Sequence, residues 1–151
     1  MTTTTTQYVV FSLSGQAYGI EIFKIKEVFS YRKITQLPYM KGFVKGIINL
    51  RGVILPVFDL RDKFGLPQGD YNSFHVIIVV EIAGRVMGLI ADEISDVLDI
   101  LPTDVQATGN LPPGIRREFL KGVGQHDEDM VILLDMDRLL SPEELEMVDA
   151  T

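Results

Sequence analysis

Residues 46–60 read Gly46-Ile47-Ile48-Asn49-Leu50-Arg51-Gly52-Val53-Ile54-Leu55-Pro56-Val57-Phe58-Asp59-Leu60. Two apolar, largely β-branched runs, Ile47–Leu50 and Val53–Phe58, meet at Arg51-Gly52, the pattern of a hairpin. Gly52 is free to take the positive φ that a type II turn needs. Pro56 offers no ladder donor, which places it on an edge strand or at a bulge. The same punctuation recurs on either side. Tyr8–Leu13 and Ala17–Ile22 flank Ser14-Gly15, and Val76–Ile82 and Val86–Ile94 flank Gly84-Arg85. Val131–Leu134 follows a polar turn, Gln125–Asp129. Helical periodicity is hard to find before the C-terminus. There Ser141 can cap, Pro142 can take the first helical position and Glu144 can close a capping box, starting a last helix through Val148.

The hairpins belong to an internal repeat. Moved forward by 69 positions, residues 8–28 place Val10 on Val79, Gly15 on Gly84, Gly19 on Gly88, Ile25 on Ile94 and Val28 on Val97. Moved forward by 76, residues 43–64 place Phe43-Val44-Lys45-Gly46 on Phe119-Leu120-Lys121-Gly122 and Val57-Phe58-Asp59-Leu60 on Leu133-Leu134-Asp135-Met136. The difference leaves seven extra residues within Leu98–Glu118, a loop by its prolines and glycines. Each copy then holds about five short strands in roughly 65 residues, too few for a sandwich and best closed as a small barrel. One such unit buries a meagre core, so the two should pack together, and the seam between them is a natural groove.

Composition narrows the function. The chain has 151 residues, enough for one ordinary domain or two very small ones sharing a core, and its 46% apolar and 23% charged residues are the balance of a soluble globular protein. Its formal net charge of -7 argues against a duplex nucleic-acid binder. Residues 1–75 carry nine basic and five acidic side chains, residues 76–151 five basic and sixteen acidic. Such a polarity can orient a molecule against its partners, although a solvated acidic face accounts for it equally simply. Without cysteine there is neither a disulfide nor a thiolate site. The longest apolar run, Val76–Val80, is far short of a membrane span. Thr2–Thr6 reads as a disordered arm and carries no signal-peptide pattern, so the expectation is a cytoplasmic protein without direct membrane insertion.

A catalytic constellation is equally hard to find. His75 and His126 lie in unrelated contexts and lack further ligands at metal-binding spacing. Asp92, Glu93, Asp96 and Asp99 form an acidic cluster without the spacing or turn glycine of a calcium loop. No glycine loop leads into Lys-Ser/Thr, and no serine sits on a nucleophile elbow. The expectation is a binding module, not an enzyme, with no cofactor and no metal.

The Asn49-Leu50-Arg51-Gly52 turn followed by Pro56-Val57-Phe58-Asp59-Leu60 resembles the central signature of the CheW family of bacterial chemotaxis coupling proteins. The resemblance continues through Tyr18–Ile22, Ile25–Val28, Gly84–Gly88 and Asp92–Leu98, and covers about residues 7–148. It implies an all-β fold of two SH3-like five-stranded barrels, an internal pseudo-repeat packed together, with the short C-terminal helix at 141–148. The expected division is an arm at 1–6, a first copy at about 7–70 and a second at 75–140, with exchange of strands between the barrels left open. The resemblance further implies a non-enzymatic adaptor that joins the cytoplasmic tip of methyl-accepting chemoreceptors to the regulatory domain of the histidine kinase CheA, building receptor–kinase arrays. It would be cytoplasmic, recruited to the inner face of the membrane through the receptors. The same module also occurs in CheV proteins, fused to a receiver. Residues after 148 leave no room for one, so a free-standing adaptor is expected, with a CheV-like or other CheW-domain signalling scaffold as the alternative.

A helical receptor tip suits a groove between two barrels. Ile25, Val28, Ile94 and Val97, equivalent in the two copies, would line it, unless they are ordinary barrel core. Gly46 and Gly52 would allow close backbone approach or would simply make turns. Arg51 either touches the receptor or pairs with Glu27 and holds the hairpin to the first copy; both readings stand. The extra loop of the second copy, with Gln106 and Leu111, is the expected kinase or ring contact, or else a mobile loop tip.

Overall fold

The computed structural model describes residues 4–36, 44–67, 69–107, 117–126 and 129–149. The first repeat supplies β1 (Thr6–Leu13), β2 (Gln16–Glu21), β3 (Ile25–Ser30), β4 (Val44–Leu50), β5 (Val53–Asp59) and a short helix α1 (Leu60–Phe64). The second supplies β6 (Val76–Ile82), β7 (Arg85–Ala91), β8 (Glu93–Ile100), β9 (Val105–Gln106), β10 (Leu120–His126), β11 (Asp129–Leu134) and the helix α2 (Pro142–Asp149). The strand therefore begins at Thr6, inside the expected arm, and Met1–Thr3 lie outside the described residues.

Two sheets hold these strands, in the orders β8-β1-β2-β11-β10-β9 and β3-β6-β7-β5-β4. Each contains strands from both repeats. The first barrel, built on the β1–β2 hairpin, takes its remaining strands from residues 93–134; the second, built on β6–β7, takes its from residues 25–59. The two repeats are continuous in sequence but the barrels are not. The chain changes sheets at two equivalent places. One is the 3-10 turn Ile22–Lys24 between β2 and β3; the other is Asp92, whose amide donates to the Ser12 carbonyl at 3.0 Å. That crossing splits the expected single strand Val86–Ile94 in two.

Registers repeat residue by residue. Phe11 faces Ile94 and Val9 faces Val97 in one sheet, as Val80 faces Ile25 and Ile78 faces Val28 in the other. The parallel contact Leu133–Gly19 matches Val57–Gly88. Closure is also shared. Beyond β3 the chain returns as an edge bridge, with Thr35 and Ile47 exchanging amide bonds of 2.9 Å, while beyond β8 it returns as β9 against β10. In both barrels the outermost edges of the sheet are thus joined through one short connection.

The hairpin turns correct two expectations. Ser14/Gly15, Arg51/Gly52 and Ala83/Gly84 each have positive φ at both central residues. This is the type I′ geometry whose twist matches that of the flanking strands, not type II at Arg51, and the third turn sits one residue earlier than expected. Pro56 lies inside β5, opposite Ile47, but the strand pairs with β7 only from Val57 onward, so its missing donor interrupts no ladder on that side.

Three apolar clusters result among the described residues. Tyr8, Val10, Leu98, Ile100, Val131 and Leu133 fill the first barrel. Equivalent positions in the second, including Ile77, Val79, Leu55 and Val57, fill that one. The largest cluster lies between the barrels and includes Phe11, Leu13, Ile20, Ile78, Val80 and Leu89. Residues of β1 and β6 thus alternate between a barrel interior and the seam, which explains why Val76–Val80 is an uninterrupted apolar run. Aromatic rings cross the seam as well: Phe11 stacks on Tyr18 (5.8 Å) and Tyr18 on Phe64 (5.4 Å), while Phe64 meets Phe119 at a tilt (5.9 Å). The helix α2 starts with the expected capping box, Ser141 N donating to Glu144 Oε1 at 2.9 Å and Glu144 N to Ser141 Oγ at 3.2 Å. Its Val148 and Leu145 pack on the seam cluster.

Candidate functional site

Among the described residues, the middle of the seam is filled by the largest core cluster. Its margins are different. Opposite residues of an antiparallel pair project to the same face. Ile25, opposite Val80, and Ile94, opposite Phe11, are therefore half-buried against the seam core. Val28, opposite Ile78, and Val97, opposite Val9, extend those rows outward and are 40% and 48% exposed. Of the four expected groove residues, two are partly core and two are apolar side chains left facing solvent on the edge strands β3 and β8.

Charge surrounds the two valines unequally. Beside Val28, β3 carries the exposed Lys26 and is followed by Arg32, whose guanidinium lies 4.5 Å over the Phe29 ring. Beside Val97, the exposed residues of β8 include Glu93, Asp96 and Asp99.

Arg51 and Glu27 meet. At the tip of the β4–β5 hairpin, Arg51 Nη1 donates to Glu27 Oε1 at 3.0 Å and Nη2 donates to Oε2, a bidentate pair. The Arg51 hydrogen bonds hold the Glu27 carboxyl below its ordinary range, with Arg32 adding to the effect, and Glu27 in turn raises Arg51. Arg51 remains 71% exposed, so the pair is a surface clamp between the hairpin tip and β3. Gly52 N donates to Asn49 Oδ1 at 2.8 Å, which explains the asparagine before the turn.

Gly46 is buried away from the turn. A Cβ there would lie 2.3 Å from the Thr35 carbonyl oxygen, and one at Gly122 would lie 2.3 Å from that of Gln106. Both glycines admit the return strand that closes the barrel. Gln106 is exposed and paired in register with Val123, on the outer edge of the first barrel; Leu111 lies outside the described residues.

One constellation escaped sequence reasoning. Asp59, fully buried at the end of β5, caps α1 through the Arg61 amide at 2.8 Å. Its Oδ2 also accepts from Arg61 Nε at 2.9 Å, Arg61 Nη2 at 2.8 Å and the Tyr71 hydroxyl at 2.6 Å. Burial pushes the Asp59 carboxyl up, but the bonds from Arg61, Tyr71 and the amide outweigh it and the net shift is downward. Burial and the neighbouring carboxylate push the Tyr71 phenol up, so it stays protonated. The available signal was Asp59 and Gly65 bracketing five residues, an N-cap and a left-handed C-terminal glycine.

Among the described residues, no group of three or more His, Asp and Glu side chains is placed to hold a metal, and no helix is long and apolar enough to cross a membrane. The family model of the CheW-like domain matches residues 7–144. Chemotaxis protein CheW of Klebsiella aerogenes is 37% identical over 143 residues, covering 95% of this chain and 86% of that protein. Probable chemotaxis protein CheW of Rhizobium etli is 30% identical over 140 residues, covering 93% and 90%. The crystal structure of the scaffolding protein TtCheW from Thermoanaerobacter tengcongensis matches with a TM-score of 0.81 at 36% identity, covering 91% of this chain and 88% of that one.

Proposed function

The chain belongs to the CheW-like domain family of chemotaxis scaffolds, and from that premise we propose that it is a non-enzymatic adaptor coupling the cytoplasmic tip of chemoreceptors to the histidine kinase CheA. It works in the cytoplasm and is brought to the inner face of the membrane by the receptors it binds. The observation that carries this reading is the exposure of Val28 and Val97 at equivalent positions of two edge strands, each continuing a buried seam row into solvent. A helix laid along that margin covers both valines, with Ile25 and Ile94 as the floor. The exposed charges of β3 and β8 orient it. Arg51, Glu27 and the turn at Gly52 stand at the β3 side of this surface, and Gly46 shapes the strand behind it. The kinase contacts the barrel ends, with Gln106 and Leu111 as the residues assigned to that contact.

Val28→Glu and Val97→Glu test the site. An unpaired charge beneath a bound helix costs on the order of several kcal/mol, enough to abolish a complex of about micromolar affinity. Both positions are exposed, so circular dichroism should show folded variants. Receptor-tip binding should be lost in a pull-down while binding to the CheA regulatory domain is retained. A folded Val97→Glu that binds receptor normally rules out this surface. A protein that binds neither receptor tip nor CheA is instead a CheV-like or other CheW-domain scaffold with different partners.

A further inference from the structure

The edge strands β3 and β8 occupy equivalent places but are fastened differently at their outer ends. In β8 the residues after Val97 are anchored by burial, Leu98 and Ile100 both lying in the core of the first barrel. Their counterparts after Val28 are Phe29 and Tyr31, which are only partly buried against the core of the second barrel. What Tyr31 lacks in burial it receives from outside its strand. Its ring packs at 5.0 Å on that of Tyr71, and its amide donates to the His75 carbonyl at 2.9 Å, extending the β3–β6 ladder. His75 meets the Tyr71 ring edge-on at 5.6 Å.

Tyr71 comes from the stretch between the repeats, outside any helix or strand, so its own position needs fixing. The fixed point is Asp59. Its backbone is paired with Ile90 of β7, its carboxylate is buried, and the Tyr71 hydroxyl bonds to it at 2.6 Å. Arg61 donates to the same carboxylate oxygen at 2.9 Å, places its guanidinium 5.2 Å from the Tyr71 ring and reaches the Gly69 carbonyl at 3.4 Å. A continuous set of contacts therefore runs from the end of β5 through Tyr71 and Tyr31 to β3, three residues from Val28. In the first barrel the residue equivalent to Asp59 is Asp135, whose Oδ1 accepts the Asp137 amide at 3.2 Å, and the residue equivalent to Arg61 is the acidic Asp137.

We propose that Tyr71, braced by Asp59 and Arg61, is a positioning residue that fixes the outer end of β3 and so sets how Val28 and Glu27 are presented to a helical partner. The proposal rests on the adaptor reading for its binding consequence, but the anchoring itself is measurable without any partner. Tyr71→Phe keeps the ring and removes the bond to Asp59, so the variant folds. Loss of a hydrogen bond to a buried charge should accelerate amide hydrogen exchange at Tyr31 about tenfold, with β8 amides unchanged. Tyr71→Ala, which also removes the ring contact, should accelerate it further. Affinity for a receptor-tip helical hairpin should fall roughly three- to tenfold in Tyr71→Phe, and affinity for the CheA regulatory domain should stay the same. A purely structural role would change exchange uniformly and leave the two affinities in their original ratio. Unchanged exchange at Tyr31 overturns the anchoring. Faster exchange with intact receptor affinity, in a protein where Val28→Glu still abolishes binding, overturns the positioning role and leaves the adaptor reading standing. If Val28→Glu also binds normally, it is the adaptor surface that fails.

Discussion

The two barrels share a backbone and differ in what closes it. Facing registers, bulges and return strands coincide in both, position by position, and so do the type I′ turns of the β1–β2 and β6–β7 hairpins. Side chains at equivalent points do not. Where the second barrel ends β5 in a buried carboxylate clasped by Arg61 and Tyr71, the first follows β11 with Asp135, and Asp137 two residues further on turns outward to Lys24 at 2.9 Å. Where the second barrel braces its edge strand with tyrosines and an Arg51–Glu27 clamp, the first uses buried aliphatic residues. Register is set by glycines and turns, which tolerate few alternatives. Closure can be reached by several chemistries, and it is there that duplicated copies become specialised.

The largest expected asymmetry lies at the two aspartates. Asp59→Asn or Arg61→Ala breaks a buried pair and should cost about 3–5 kcal/mol in urea unfolding, whereas Asp135→Asn should stay within about 1 kcal/mol. The folded Asp59 carboxyl titrates below its unfolded value, so its stabilisation is fully present above the ordinary carboxylate range and is lost as pH falls through the folded value. Asp59→Asn should accordingly flatten the acid limb of the stability curve. Equal losses at the two sites would mean that the barrels are not closed differently.

A smaller effect should be shared. Gly46→Ala and Gly122→Ala each drive a methyl group into a carbonyl oxygen, and both should destabilise by about 1–3 kcal/mol. If thermal melts show one glycine replaced freely, close approach of the return strand is needed in only one barrel.

The smallest effect belongs to the clamp. Arg51 and Glu27 are exposed, so Arg51→Ala and Glu27→Ala should barely move the melting midpoint, and their double variant should match either single one. Their contribution should fade in high salt and again as pH falls through the lowered Glu27 range. Destabilisation as large as that of Asp59→Asn would make the clamp part of the core architecture.

These contrasts also show where the sequence was readable. The hairpins were legible because Ser14-Gly15, Arg51-Gly52 and Gly84 punctuate apolar runs, and the capping box at Ser141 announced α2. The repeat itself was legible from matched glycines and hydrophobic phase. Strand exchange was not, because Val28 presents the same face whether it pairs with its own repeat or with Ile78 of the other. Nor was α1, since five residues are too short for a helical period to emerge. The filling of the seam was hidden for a similar reason. Apolar residues at seam positions look alike in sequence whether the seam is open or, as Phe11, Val80 and Leu89 make it, filled.

The interleaving of the strands also bears on how the protein is made. When the ribosome has released residues as far as α1, β1 and β2 still lack β8 and β11, and β3 lacks β6. Neither barrel can close from the first repeat alone, and the nascent chain holds its apolar strands with open edges until the second repeat arrives, a wait on the order of ten seconds. A translation arrest near the middle of the message would therefore yield no half-sized working module. It would yield a sticky fragment, suited to a chaperone or a protease.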